Sequence, residues 1–352
     1  MFKNIKIKNL RAITELEICN LGQVNLFVGK NNCGKTTILE AIFFLIGHTN
    51  PKLLINTNIF RGLELHSNEY WCSFFHNLKT DLNIGISAIL RDRKGEQKLV
   101  ILPEIQKEIP TKPVSSDIVS VEIQNGDSEP GLVTNGLKLI FTNSQDPTIE
   151  KISSIYLDEG GQVKTPGIKR SFDKGIWVSS ATRFDWRLRF GCIQRKKLTG
   201  ELISLLNEVE PHISDIRLNE VGILEAEIGL SRLIPVNLMG GGIASFLSVA
   251  LAMLDMKDGV VLIDEIETGL HHSVQEKLWK GIFNWSEKLN VQVFATTHSD
   301  ECIKAFSNSV DKTLFGSEAK LFRIERKDEK FRAVEYTQQL LSESLESKWE
   351  IR

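Results

Sequence analysis

Eight residues, Gly29-Lys30-Asn31-Asn32-Cys33-Gly34-Lys35-Thr36, have the spacing G-x-x-x-x-G-K-[ST] that cradles nucleotide phosphate. Gly29 and Gly34 let the backbone curl. The N–H groups of Asn31, Asn32, Cys33 and Gly34, and of the helix start through Thr37, then point at phosphate oxygens. Lys35 adds a point charge on the outer phosphates, and the Thr36 hydroxyl is a ligand for Mg²⁺. Far along the chain, Val260-Val261-Leu262-Ile263-Asp264-Glu265 is four apolar residues followed by two carboxylates. This pattern predicts a buried strand that delivers acids to a ligand crevice. There Asp264 would hold Mg²⁺, directly or through water, and Glu265 would polarise the water that attacks a γ-phosphate. Taken alone, an apolar strand ending in acids more often marks a solvated strand end. Beside a P-loop it reads as a catalytic edge.

Two more segments stand at telling positions. Asn237-Leu238-Met239-Gly240-Gly241-Gly242 precedes a predicted helix, so its N–H groups form a second anion-binding helix start. Thr296-Thr297-His298-Ser299 follows the next predicted strand and puts an imidazole within reach of a γ-phosphate. The plainer alternatives are a flexible helix entry, and a capping Ser299 beside an ordinary surface histidine.

The elements that must position these residues follow from periodicity. Phe2 to Leu10 and Ile13 to Ile18 alternate as strands, and Val24 to Val28 is a short apolar strand running into Gly29. Thr36 to Ile46 turns helical. From about 50 to 170 short alternating segments (Leu82 to Leu90, Lys98 to Ile105, Ile118 to Ile123, Leu137 to Phe141) are separated by turn clusters such as Asn125-Gly126-Asp127 and Asn135-Gly136, which predicts a β-rich insert. From about 175 onward strands and helices alternate, with helices over Thr199 to Glu208, Ile243 to Met256, Val274 to Leu289 and Glu301 to Phe306, and a closing hairpin over Leu321 to Tyr336. The expectation is an α/β fold in which helices cover a mixed sheet, with its core in 1–48 and about 175–352. No internal repeat or sustained heptad is present, which argues against a long coiled-coil arm.

Composition narrows the class of partner. The 43 basic and 45 acidic side chains nearly cancel, so no polyanion is advertised by net charge. Five scattered cysteines without a C-x-x-C pair predict neither a zinc site nor a disulfide framework, and fit a reducing cytoplasm. The charged start Met1-Phe2-Lys3-Asn4-Ile5 is unlike a signal peptide, and no run of eighteen apolar residues occurs, so no membrane association is expected.

The order P-loop, Gly-rich helix start, apolar strand with Asp-Glu, then strand with Thr-Thr-His resembles the ABC ATPase superfamily, and within it the SMC/RecF/OLD branch. The likeness rests on Ile5-Lys6-Ile7-Lys8-Asn9-Leu10-Arg11, on Asn31, on Ile263 to His271 as Walker B plus D-loop, and on Phe294 to Ser299 as the switch-histidine segment. It is dense in 1–48 and from about 200 onward, and thin across the insert. The resemblance implies a P-loop NTPase head binding ATP with Mg²⁺, hydrolysing it with Glu265 and His298, and contacting phosphate through Arg11. It also implies that Gly240, Gly241 and Gly242 cap the γ-phosphate held by a second copy, so that ATP is sandwiched in a homodimer. Met239 departs from the family's usual signature serine, which removes one hydroxyl contact. No Q-loop glutamine is assignable, although Gln194 is available.

Other features have bland and sharp readings. Arg183, Arg187, Arg189, Arg195, Lys196 and Lys197 interleave with Phe184, Trp186 and Phe190, either as a grip on nucleic acid or as a solvated amphipathic connector. Cys33 reads as a small P-loop filler, His271-His272 as side chains that point different ways if helical and so argue against a metal site, and Val274, Leu278, Ile282, Trp285 and Leu289 as a core stripe. In function, OLD-like ATPases without their own effector pair with a nuclease or toxin in bacterial anti-phage defence. That implies an ATPase that switches a separate effector, since no C-terminal Toprim segment is expected here. The alternative is a RecF-like DNA-repair clamp. A transporter subunit fits poorly, given the roughly two hundred residues between P-loop and signature.

Overall fold

The computed structural model describes residues 1–65, 69–91, 95–107, 132–158, 160–166, 173–179, 186–207, 209–310 and 318–346. Alternation makes β1 (Phe2–Leu10) and β2 (Ile13–Ile18) one-sided strands, with Ile5, Ile7, Leu16 and Ile18 buried and Lys8, Glu15 and Glu17 exposed. In β3 (Val24–Val28) all five residues are buried, and the P-loop then leads into α1 (Lys35–Ile46). Helices α2 (Lys52–Phe60) and α3 (Glu69–Cys72) precede β4 (Ile84–Leu90), β5 (Glu96–Lys107), β6 (Leu132–Asn143), β7 (Asp146–Leu157), the short β8 (Val163–Lys164) and β9 (Gly175–Val178). After α4 (Trp186–Arg195) and α5 (Thr199–Leu206) come β10 (Asp215–Leu218), β11 (Leu224–Glu227), β12 (Ile234–Pro235) and α6 (Gly241–Asp255). The chain then alternates through β13 (Val260–Ile263), α7 (His272–Leu289), β14 (Gln292–Thr296), α8 (Asp300–Ser309), the hairpin β15 (Ala319–Lys327) and β16 (Lys330–Tyr336), and α9 (Gln338–Glu346).

The central sheet has the order β16-β15-β3-β14-β13-β9, parallel throughout except for β16. Its strands are apolar on both faces because both faces are covered. Val261, Ile263, Val293 and Ala295 enter one core with α6, α7 and α8, whereas Val260, Leu262 and Phe294 enter a second core with α1. Phe294 anchors the second core, its ring centroid 6.2 Å from that of Phe27 and 6.3 Å from that of Phe2. Truncating such a buried ring costs about 3–5 kcal/mol. The buried Gln292 side chain joins the two sheets: it accepts the Phe2 N–H at 2.7 Å and donates to the Phe2 and Gly22 carbonyls at 2.8 Å.

The second sheet, β2-β1-β4-β5-β6-β7-β8, is antiparallel, so the strands between residues 84 and 164 extend the sheet begun by β1. Two expectations change here. The segment from about 50 starts with helices α2 and α3 rather than strands; Leu54, Tyr70 and Trp71 from these helices bury their side chains in the core shared with α1. Asn135-Gly136 is not a turn but lies inside β6, because a side chain at Gly136 would meet the Ile155 carbonyl oxygen at 2.3 Å and only glycine lets β7 approach. The predicted strand Ile118 to Ile123 and the turn Asn125-Gly126-Asp127 fall outside the described residues. A third, small sheet, β10-β11-β12, leads into α6.

Candidate nucleotide and metal site

Because β3, β13 and β14 run parallel, their C-terminal ends open on one edge of the sheet, where α/β folds bind ligands. The P-loop leaves β3 with Gly29 at φ 145° and Gly34 at φ 93°, both in the region that disfavours side chains. A Cβ at Gly29 would also lie 2.6 Å from the Ile324 carbonyl oxygen and 2.8 Å from Cys33 Sγ. Cys33 is thus packed against the glycine as a filler, and burial pushes its thiol up from the ordinary value despite Lys35 nearby. Lys35 Nζ donates to the carbonyls of Gly29 at 2.6 Å and Lys30 at 2.9 Å, which holds the ammonium at the mouth of the loop. No side chain caps the start of α1, so the N–H groups of Lys35, Thr36 and Thr37 face whatever the loop binds.

Thr36 Oγ1 donates to Asp264 Oδ1 at 3.2 Å, across 228 residues of sequence. A hydroxyl and a carboxylate facing each other are the hard oxygen donors that Mg²⁺ takes from protein when phosphate and water complete its shell, so these residues fit the ion. Thr296 Oγ1 donates to the same Asp264 oxygen at 2.6 Å and accepts the Glu265 N–H at 2.9 Å. Burial raises the Asp264 carboxyl above its usual range; the hydrogen bonds from Thr296 and Thr36 oppose the rise, and the charges of Glu265 and Glu40 add to it. Glu265 itself sits at φ 49°, an unfavourable left-handed conformation for glutamate that the Thr296 bond helps to hold.

The structure gives Arg11 a different setting from the one the resemblance implied. Its Nε donates to Glu40 Oε2 at 2.6 Å, Nη2 to Asn58 Oδ1 at 2.9 Å and Nη1 to the Ser73 carbonyl at 3.3 Å, while the guanidinium stacks 4.7 Å over Phe74. None of these partners belongs to the P-loop. Glu40, 1% exposed on α1, also accepts Arg61 Nε at 2.8 Å. Burial works against the Arg61 charge, but Glu40 and then Asp264 outweigh it and hold the guanidinium above its ordinary value. The charge of Arg61 is thus felt at Asp264 as well as at Glu40.

Gly240, at φ 102°, precedes α6, and Gly241 and Gly242 form its first turn without a side-chain cap. Gly240 and Gly241 are exposed, leaving the N–H groups of this helix start open on the surface. Met239 turns partly into the core beneath it. His298 is half-exposed after β14, its Nδ1 3.1 Å from Glu267 Oε1. Ser299 caps α8 by accepting the Cys302 N–H, as the plainer reading held. The His271 and His272 rings do not diverge: their centroids are 4.0 Å apart, because His271 lies outside α7 as its cap.

In the stretch weighed as a nucleic-acid grip or a solvated connector, two of the three aromatic side chains turn inward. Trp186 is buried, its Nε1 donating to Ser248 Oγ at 2.8 Å; Phe190 is buried in the core, and Arg189 is buried with it. Arg187, Arg195, Lys196 and Lys197 remain exposed, while Arg183 and Phe184 lie outside the described residues. Thr296, Glu40, Arg61 and Glu267 were not singled out as site residues from the sequence. Only Thr296 and Glu267 carried a signal, as members of recognised segments to which no role of their own was given.

Comparison with known proteins agrees with this geometry. The family model described as "AAA domain, putative AbiEii toxin, Type IV TA system" matches residues 24–303. An ATP/GTP phosphatase of Helicobacter pylori is 24% identical over 364 residues, covering 94% of each chain. The OLD nuclease of Thermus scotoductus is 23% identical over 343 residues, 85% of this chain and 59% of that protein. Among solved structures, an Smc head bound to the C-terminal winged-helix domain of ScpA superposes with a TM-score of 0.55 at 12% identity, covering 96% of this chain and 98% of that one. An Smc head with an extended coiled coil, bound to the C-terminal domain of ScpA derived from Pyrococcus furiosus, gives 0.51 at 11% identity and 99% of each chain. These two likenesses establish the SMC-head-like P-loop fold. With the match covering both the P-loop and the acidic strand, the chain belongs to this AAA-domain family.

Proposed function

We propose that the protein is a Mg²⁺-dependent ATPase that closes on a second copy of itself around ATP and thereby switches a separate effector, a nuclease or toxin, in bacterial anti-phage defence. One observation carries the catalytic part: Thr36, Asp264, Thr296 and the strained Glu265 form one hydrogen-bonded chain at the mouth of the P-loop. The uncapped N–H groups around Lys35 to Thr37, with Asn31, Asn32 and Cys33, bind the phosphates. Thr36 and Asp264 hold Mg²⁺, which when bound offsets charge on the outer phosphates. Glu265 orients and deprotonates the attacking water, and His298 addresses the γ-phosphate. The exposed start of α6 at Gly240 to Gly242 supplies N–H groups to ATP held by the other copy. Among the described residues no helix is long and apolar enough to cross a membrane, in keeping with action in the cytoplasm.

The relatives support this reading, one by its name as an ATP/GTP phosphatase and one as a nuclease of the OLD type. Burial of Trp186 and Phe190 takes these two aromatic residues out of any nucleic-acid grip, which weighs against the RecF-like clamp. The test is phosphate release from Mg-ATP and Mg-GTP by wild type, Lys35→Ala and Glu265→Gln, with light scattering at saturating nucleotide. Lys35→Ala is expected to lose nucleotide binding; Glu265→Gln is expected to bind, stop turning over and accumulate as a dimer. Equal ATP affinity in Lys35→Ala and wild type, or a Glu265→Gln protein that stays monomeric, refutes the respective part. Mass spectrometry of proteins held by Glu265→Gln with Mg-ATP then tests for the effector.

A further inference from the structure

The turn that follows Glu265 carries another carboxylate, Glu267, to which the hydrolytic reading gives no part. Its side chain is only 10% exposed. Oε1 accepts the backbone N–H of His298 at 3.0 Å and lies 3.1 Å from the ring Nδ1 of the same histidine. Oε2 is buried and has no hydrogen-bond partner among the described residues. A carboxylate kept from water in this way is costly unless hydrogen-bond donors compensate it, and the donors it meets belong to His298.

The loop under Glu267 is rigid. The Ile266 N–H donates to the Thr296 carbonyl at 3.1 Å, the Thr268 N–H to the Glu265 carbonyl at 2.9 Å and the Leu270 N–H to the Glu267 carbonyl at 3.0 Å. Ser245 Oγ of α6 donates to the Thr268 carbonyl at 3.1 Å. One oxygen on a fixed loop therefore holds both the main chain and the ring of His298. A half-exposed histidine on a loop otherwise samples several rotamers and two tautomers.

We propose that Glu267 is the positioning residue for His298: it takes the Nδ1–H, selects that tautomer and ring orientation, and turns Nε2 to the γ-phosphate. This rests on the role of His298 proposed above. Carboxylates behind working imidazoles act in this way, the outer acceptor deciding which ring nitrogen meets the substrate. Glu267 itself touches neither nucleotide nor water in the reaction. Its effect belongs in turnover and not in ATP affinity.

The experiment is a double-mutant cycle on the full chain, with Glu267→Ala, Glu267→Gln, His298→Ala and the Glu267→Ala/His298→Ala pair. It reads kcat at saturating Mg-ATP, Kd for a fluorescent ATP analogue, and the urea midpoint of each protein. Glu267→Ala is expected to lower kcat about 10- to 100-fold with Kd within about twofold of wild type. Glu267→Gln is expected to recover part of the loss, since its amide oxygen still accepts both N–H groups. The pair is expected to be no slower than His298→Ala alone, because the second change removes support from a ring already gone. If Glu267→Ala fails to fold, the same comparison is made with Glu267→Gln in the wild-type and His298→Ala backgrounds. Equal slowing by the Glu267 change in both backgrounds overturns the proposal, as does unchanged kcat in a folded Glu267→Ala protein. His298→Ala with wild-type turnover, in a protein that Lys35→Ala silences, instead overturns the role of His298 and with it the inference, leaving the ATPase reading intact.

Discussion

Replacing Thr296 with valine removes one hydroxyl at nearly constant volume, and that hydroxyl ties the Asp264 carboxylate to the main chain of Glu265. Oγ1 donates to Asp264 Oδ1 at 2.6 Å and accepts the Glu265 N–H at 2.9 Å. A hydrogen bond to a charged group contributes about 1.5–3 kcal/mol, and an N–H left without an acceptor away from water costs about 1–3 kcal/mol. Glu265 at φ 49° loses the contact that holds it in an unfavourable conformation. If about 2 kcal/mol of this is felt in the transition state, kcat falls about 30-fold, since about 1.4 kcal/mol is a factor of ten. There is a second signature. Burial raises the Asp264 carboxyl and the Thr296 bond pulls it back down, so Thr296→Val moves it further up. In the proposed site Asp264 works as a carboxylate, so activity is expected to fail as pH falls through its pKa, and in the variant to fail at a higher pH. Phosphate release from Mg-ATP between about pH 5 and 9, with Thr296→Ser as the control that keeps the hydroxyl, measures both. Wild-type turnover with an unshifted acidic limb in Thr296→Val would refute the coupling.

Arg11→Ala leaves the buried Glu40 carboxylate with only the more exposed Arg61, and is expected to destabilise the fold by about 3–5 kcal/mol in urea denaturation. A lost ATP affinity at an unchanged urea midpoint would instead give Arg11 to the phosphates. Asp264→Asn is expected to raise the urea midpoint of the nucleotide-free protein at neutral pH. A carboxyl whose folded pKa is raised contributes stability at low pH that is lost as pH rises through that pKa, and asparagine has no charge to bury. The gain is expected to shrink toward pH 4, and a gain that grows on acidification refutes it. Gly29→Ala places a methyl 2.6 Å from the Ile324 carbonyl oxygen at φ 145°, and is expected to abolish binding of a fluorescent ATP analogue. Retained binding would show that the loop tolerates a side chain there.

Some of this molecule is written locally. The P-loop is legible because its ligands are consecutive backbone N–H groups, so spacing alone specifies them, and Gly29 and Gly34 stand where φ is positive. Asp264 and Glu265 are legible because a four-residue strand buried on both faces must be wholly apolar and must end where acids can follow. The pairing of Thr36 with Asp264, by contrast, joins residues 228 apart, and follows only from β3, β14 and β13 lying side by side and parallel. The same is true of Glu40 with Arg11 and Arg61, and of Glu267 with His298, where a charge finds its partner only after helices and loops have packed. Trp186 and Phe190 look like a stacking surface in one dimension because aromatic residues suit cores and bases equally; their packing against α6 decides between the two. Asn135-Gly136 has the composition of a turn, yet the close approach of β7 uses the glycine for space inside a strand. Spacing thus determined which chemical groups this protein carries and in what order, because those signals are set by backbone geometry over a few residues. Tertiary packing decided which of them meet, because burial and charge pairing act between residues that the chain itself keeps far apart.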